Sequence, residues 1–243
     1  MKDVCVGIAL VMAVSACSTP STAPDVIDYA IVVTSPNSNV FLGGSEQMTA
    51  TASDGRALAG TWGSDNLSAV TVNAATGLAA AVSAGQANVF YVADGRQGAK
   101  LIRALPNFAG TFAGEYLVTS CAATGEMAAA NVCNTAPPGT MVPYMFIFAQ
   151  TGPVLTGRVL VLGTDAVPVF AATIGVGGDV SVSGTVTVQG GLVVNTTWQI
   201  SQKTAGGITG TIAQVWTAPG ALAGQANIAG SINSINKTAS AGN

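Results

Sequence analysis

The chemistry open to this chain is narrow, because it holds no histidine and only 8 basic and 11 acidic residues in 243. Without histidine there is no Ser-His or Cys-His nucleophile and no histidine-ligated metal. A lysine-activated serine would need Lys203 or Lys237, and both stand in polar, turn-like surroundings that read as solvated surface. A glycosidase needs two carboxylates set across the scissile bond. Glu115 with Glu126, or Asp165 with Asp179, are the pairs to hand, and nothing in their spacing brings them together. Asp54-Gly55 and Asp94-Gly95 lack the converging oxygens that calcium needs and read as turns. Trp198 and Trp216 are the side chains best suited to line a sugar or peptide site, although tryptophan on alternating strands is more often buried. Cys121 and Cys133 lack the Cys-x-x-Cys spacing of a redox pair. The expectation is a non-enzyme with no catalytic residue, no cofactor and no metal, whose binding residues are unassigned.

The elements that would position these residues are strands. Only 8% of the chain is charged, against about 25% in ordinary proteins. Glycine and β-branched residues abound, as in extracellular β proteins covered by Ser, Thr, Asn and Gln. The net charge is −3. Few basic residues and no basic patch argue against nucleic acid, whose binding needs cations to displace counterions. From Phe108 onward the charged side chains are Glu115, Glu126, Arg158, Asp165, Asp179, Lys203 and Lys237, too sparse to steer a partner by charge.

Residues 25–106 read as one domain. Short β-branched runs, 29–34, 47–51, 60–64, 69–73, 78–82, 87–92 and 99–103, are separated by turn residues such as Asp54-Gly55, Thr76-Gly77 and Asp94-Gly95. Strands of this length and spacing predict a β-sandwich.

Residues 107–243 read as a second β domain. The segments Leu155-Thr156-Gly157-Arg158-Val159, Val182-Ser183-Gly184-Thr185-Val186, Ile208-Thr209-Gly210-Thr211-Ile212 and Ile228-Ala229-Gly230-Ser231-Ile232 share the pattern apolar, x, Gly, x, apolar. In a strand the two apolar residues and the glycine face one side. Glycine there permits close approach or sharp coiling. Recurrence about once per hairpin predicts an antiparallel up-and-down sheet, curled into a barrel or folded as a sandwich. Aromatics make up 6% of the chain, too few for the two girdles of a membrane barrel. A water-facing barrel is therefore expected.

The first residues suggest where the chain goes. Lys2 precedes an uncharged run, 4–14, too short for the roughly 20 residues of a membrane span and suited to the core of a signal peptide. Val14-Ser15-Ala16-Cys17 resembles the bacterial lipobox, with Val14 where leucine is commoner. The resemblance implies a diacylglycerol on the Cys17 thiol and cleavage just before it. It makes 1–16 a lipoprotein signal peptide and 17–24, polar and Pro-rich, a lipidated tether. The alternative is ordinary cleavage that releases the protein. Ser18, where aspartate would retain an inner-membrane lipoprotein, resembles the outer-membrane-sorted class if the source is Gram-negative. The expected location is thus the cell envelope, with the membrane a partner through lipid on Cys17. With Cys5 removed and Cys17 lipidated, Cys121 and Cys133 are left to pair in an oxidising compartment.

A second resemblance covers residues 30–103. Gly44, Met48-Thr49-Ala50-Thr51, Asp54-Gly55, Trp62-Gly63-Ser64-Asp65-Asn66, Val70-Thr71-Val72, Thr76-Gly77-Leu78 and Gly85-Gln86-Ala87-Asn88-Val89 resemble, in order, the bacterial Ig-like group 2 family. It implies an immunoglobulin-like sandwich with Trp62 as the large core side chain and turns at Gly77 and Gly85. Such domains occur in surface adhesins and as spacers in exported enzymes and lipoproteins. The family brings no catalytic residues.

The expected protein is all-β: an N-terminal Ig-like sandwich, then an antiparallel barrel or sandwich. Its expected function is that of a non-enzymatic envelope lipoprotein, either a surface-binding or adhesive module with a protein or carbohydrate partner, or a structural spacer. The alternative is a carrier of a small apolar ligand inside the C-terminal barrel. A hydrolase is a distant third.

Overall fold

The computed structural model describes residues 28–202 and 207–239. The expected signal peptide (1–16), Cys17, the expected tether (17–24) and Lys203 lie outside the described residues. The fold is all-β.

Nine strands form the N-terminal part: β1 (Ile31–Thr34), β2 (Asn39–Phe41), β3 (Ser45–Gln47), β4 (Thr49–Ala52), β5 (Gly60–Ser64), β6 (Val70–Val72), β7 (Leu78–Ala81), β8 (Gly85–Ala93) and β9 (Arg96–Leu105). One layer runs β2-β9-β8-β5, and opposite it lie β3-β7-β6 and the pair β1-β4. Along β8 every second residue points inward, which buries Ala87, Val89, Tyr91 and Ala93 against Ile102 and Ala104 of β9. Asp94 (φ 51°) and Gly95 (φ 72°) turn this hairpin with the two left-handed residues that a two-residue connection favours. This is the Ig-like domain.

Three details depart from the expectations. β2 has no signal of its own, because three residues pair in parallel with the far end of β9 through contacts distant in sequence. Trp62 is half-buried rather than central. It lies on the edge strand β5, tilted against Tyr91 at 4.9 Å and tucked beneath the Gly77 turn, where an added Cβ would stand 2.6 Å from the indole. Gly85 makes no left-handed turn; it begins β8, and its lack of a side chain leaves room for Ala69, 2.7 Å from where a Cβ would be.

The second half is a nearly closed barrel. Its strands are β10 (Gly110–Gly125), β11 (Met141–Thr151), β12 (Val154–Val161), β13 (Thr164–Thr173), β14 (Asp179–Thr187), β15 (Val193–Ser201), β16 (Ile208–Ala218), β17 (Gly224–Ile235) and the short β18 (Lys237–Ala239). Every pairing is antiparallel, in the order β13-β12-β11-β10-β17-β16-β15-β14, with β18 continuing beside β10. Closure comes from β10 pairing with β17. The ends of the path, β13 and β14, face each other across a seam without a ladder. Pro168 in β13 removes a donor from that edge, as edge strands often do. Side chains fill the seam: Val167 packs onto Gly184, where an added Cβ would stand 2.8 Å away.

Gly157, Gly184, Gly210 and Gly230 sit on the inward face between buried residues such as Leu155 and Val159, or Ile228 and Ile232. Phe148 comes up against Gly157 and Tyr116 against Gly230, Val167 fills the space at Gly184, and the Gln199 backbone lies against Gly210. Trp198 is fully buried, with Tyr144 and Phe146 each 5.1 Å away and Tyr116 at 5.7 Å. The outer face carries Ser181, Ser183, Thr185, Asn195, Thr197 and Gln199, linked by hydrogen bonds such as Thr185 Oγ1 to Asn195 Oδ1 at 2.6 Å. Membrane-spanning barrels have the reverse arrangement, apolar outside and polar within.

The Ig-like domain plugs one end of the barrel. Leu105 and Phe108 are fully buried in the barrel core. The Arg103 guanidinium donates to the Ile174 carbonyl. The Gln150 amide donates to the Pro106 carbonyl at 3.0 Å and accepts the Phe108 N–H at 2.7 Å.

Candidate functional site

With one end closed by the Ig-like domain, the other end is the free mouth. Three short connections ring it, those between β12 and β13, β14 and β15, and β16 and β17. The fourth, from β10 to β11, is longer and forms a cap. It starts with a single helical turn, α1 (Glu126–Ala129), followed by a 3-10 turn, Val132–Asn134. Gly125 at φ 63° makes the sharp entry. The Glu126 N–H donates to the Ala223 carbonyl at 2.8 Å, joining the cap to the β16–β17 connection. Met127 is inserted downward, 1% exposed, among Ala218 and Ala226. The Cys121–Cys133 disulfide, with Cα atoms 5.6 Å apart, fastens the cap to β10.

The cap covers the β10, β16 and β17 side and leaves the other side open. There, at the seam between β13 and β14, lies a cavity of about 160 Å³. Val161, Val186, Val188 and Val194 form apolar walls, Trp216 forms another, and Gln214, Thr164 and Asp165 supply polar groups. Gln214 is 6% exposed, and its two bonds are long. Its Nε2 donates to Thr196 Oγ1 at 3.4 Å, and its Oε1 accepts from Trp216 Nε1, also at 3.4 Å. Asp165 stands 4.0 Å from Arg158, at the edge of ion-pair range. Deeper in, the Tyr144 hydroxyl and Trp198 Nε1 are buried without a hydrogen-bond partner. Burial pushes the Tyr116 phenol up to about 12 and that of Tyr144 higher still.

Other depressions carry less chemistry. A groove of about 280 Å³ on the outer wall, beside Met145, Leu160 and Leu162, is almost wholly apolar. A wide hollow of about 590 Å³ beside Tyr29 and Arg96 lies at the surface of the Ig-like domain.

The structure separates the carboxylate pairs. Asp165 opens β13 at the free mouth, whereas Asp179 opens β14 at the end plugged by the Ig-like domain. Glu115 is exposed on the outer face of β10, and Glu126 begins the cap. Lys237 is exposed on β18, its Nζ 5.6 Å from the centre of the Phe112 ring. Asp54 pairs with Arg56 at 2.7 Å, and Asp94 accepts the Tyr29 hydroxyl at 2.7 Å. No cluster of three metal-ligating side chains occurs among the described residues. Of the two tryptophans, Trp198 is core and Trp216 reaches the cavity. Gln214 and Thr196 carry no motif. Their signal is that they interrupt runs of inward-facing apolar residues, such as Ile208, Ile212, Trp216 and Ala218 on β16.

Residues 30–102 match the family described as bacterial Ig-like domain (group 2), so this part of the chain is such a domain. Neither a search of curated proteins nor one of solved structures finds a match to the chain.

Proposed function

We propose that this protein is a non-enzymatic lipoprotein of the cell envelope, held by lipid on Cys17, whose Ig-like domain is a spacer that presents the barrel mouth to a partner. The observation that carries the reading is the division of the barrel's ends. One end is occupied by Leu105 and Phe108 from the connection to the Ig-like domain, and the other bears the capped mouth. A spacer joined by buried side chains holds its load in a fixed direction, outward from the anchored terminus. The match to an Ig-like family of surface modules supports export. The packed interior weighs against a carrier of an apolar ligand. Trp198, Phe146 and Phe148 fill the barrel. The cavity at the mouth, about 160 Å³, is below the roughly 300 Å³ where pockets for drug-sized ligands begin.

The test is the intact mass of the protein from fractionated cells. The reading expects it in the membrane fraction, at the mass of residues 17–243 plus two or three acyl chains. An unmodified mass from the culture medium would overturn the anchor and leave a released β protein.

A further inference from the structure

We propose that the open half of the barrel mouth binds a single neutral sugar ring, held against Trp216 and hydrogen-bonded by Gln214, Thr164 and Asp165. The inference deepens the reading of the barrel as the contact-making end of the protein. Its first support is size. A cavity of about 160 Å³ above a filled interior takes one ring and leaves no channel for an alkyl chain. Its second is charge. Asp165 is the sole charged residue lining the cavity, and the cation beside it, Arg158, is outside the lining and 4.0 Å from that carboxylate, so no cation lines the cavity to hold an anionic ligand. One carboxylate does not make a metal site.

The third support separates a hydroxylated ring from an apolar one. Gln214 is 94% buried yet holds its two partners only at 3.4 Å. An amide has two donors and two acceptor positions, so one of each is unused and the two that are used are long. An apolar guest would seal that amide further from water with nothing in exchange, which costs binding. A guest with hydroxyls on its edge satisfies the amide, and its less polar face lies on the indole. Thr164 both donates and accepts, and the Asp165 carboxylate accepts from a hydroxyl. The Met127 cap supports the other side of Trp216, so the indole is held in place before a ligand arrives.

The test is saturation-transfer NMR on the full chain, purified from whichever cell fraction contains it. The ligands are glucose, galactose, mannose and N-acetylglucosamine, with cyclohexanol and glucuronate as an apolar and a charged ring. At least one neutral sugar is expected to bind saturably and more tightly than either control. Trp216→Ala and Gln214→Met are each expected to weaken it by about tenfold or more, as for sites that hydrogen-bond a hydroxyl. Asp165→Asn, at the partly exposed rim, serves if the buried changes unfold the barrel. The proposal is overturned if none of the four sugars binds, if cyclohexanol or glucuronate binds better, or if the folded variants bind as the parent does. Finding the protein in the medium would remove the lipid anchor without touching this result.

Discussion

Cys121 and Cys133 are joined across 12 positions of chain, and the bond places Met127, which lies between them in sequence, over the barrel mouth. Beside the bond, the cap is held by the buried Met127 and by the Glu126 N–H on the Ala223 carbonyl, whereas α1 itself is one turn long and has no side-chain N-cap. In the chain-entropy view, a loop of this size is stabilised by about 3 kcal/mol on cross-linking. Cys121→Ser with Cys133→Ser is therefore expected to lower unfolding stability by up to about 3 kcal/mol. It should also leave Trp216 more exposed. Urea unfolding with and without reductant, followed by tryptophan fluorescence, checks both. A variant as stable as its parent, with unchanged emission, would show that the cap stands without the bond.

The barrel seam rests on a side chain packed against bare backbone rather than on a strand ladder. Val167 of β13 packs where a Cβ on Gly184 of β14 would lie, 2.8 Å away. Gly184→Ala is expected to cost about 1–3 kcal/mol by overpacking. Combining it with Val167→Ala should recover part of that loss, because the two positions touch. Thermal unfolding of the single and double variants measures the coupling. Strict additivity would mean that the seam does not close at this point.

Much of this architecture was legible in local pattern, and the remainder depended on contacts distant in sequence. The apolar, x, Gly, x, apolar segments marked inward faces because strand side chains alternate, and Gly157, Gly184, Gly210 and Gly230 do face inward. The choice between barrel and sandwich was not legible. It depends on β10 meeting β17, from opposite ends of this half of the chain, with Val118 beside Gly230. Trp62 looked central because it is large, yet its place on edge strand β5 leaves it half-buried. At the mouth, the polar break at Gln214 was visible on β16. Its neighbours Thr164 and Asp165 were not, because the β12–β13 pairing shifts register just where they stand.

Phe108 sits in what reads as a connection between domains, yet it is fully buried, with its ring edge-on to Phe148 at 6.3 Å. The stopper at that end of the barrel is thus supplied by the junction itself. Phe108→Ala is expected to destabilise the barrel by about 3–5 kcal/mol, the usual cost of emptying such a site. The core of the Ig-like domain, around Val89 and Ile102, should be spared. Hydrogen exchange read by mass spectrometry resolves the two. Faster exchange confined to the barrel strands is the expected result, and unchanged exchange there would refute the stopper role.

Burial of Tyr116 and Tyr144 makes the barrel sensitive to alkali. Desolvation raises both phenols above the ordinary 10.0 of a tyrosine, Tyr116 to about 12 and Tyr144 further in the same direction. A folded-state pKa above the unfolded one means that the folded form holds the proton more tightly. The stabilisation is therefore complete below about pH 10 and is lost as pH rises toward the folded values. Unfolding by alkali should begin above about pH 10 and coincide with ionisation of these two phenols. Absorbance at 295 nm and circular dichroism, recorded through the same titration, test the coincidence. Tyr116→Phe and Tyr144→Phe should each move the transition to higher pH, because phenylalanine has no proton to lose. Phenols that titrate fully near pH 10 while the barrel stays folded would show that the two rings are accessible to water, and would remove this source of pH dependence.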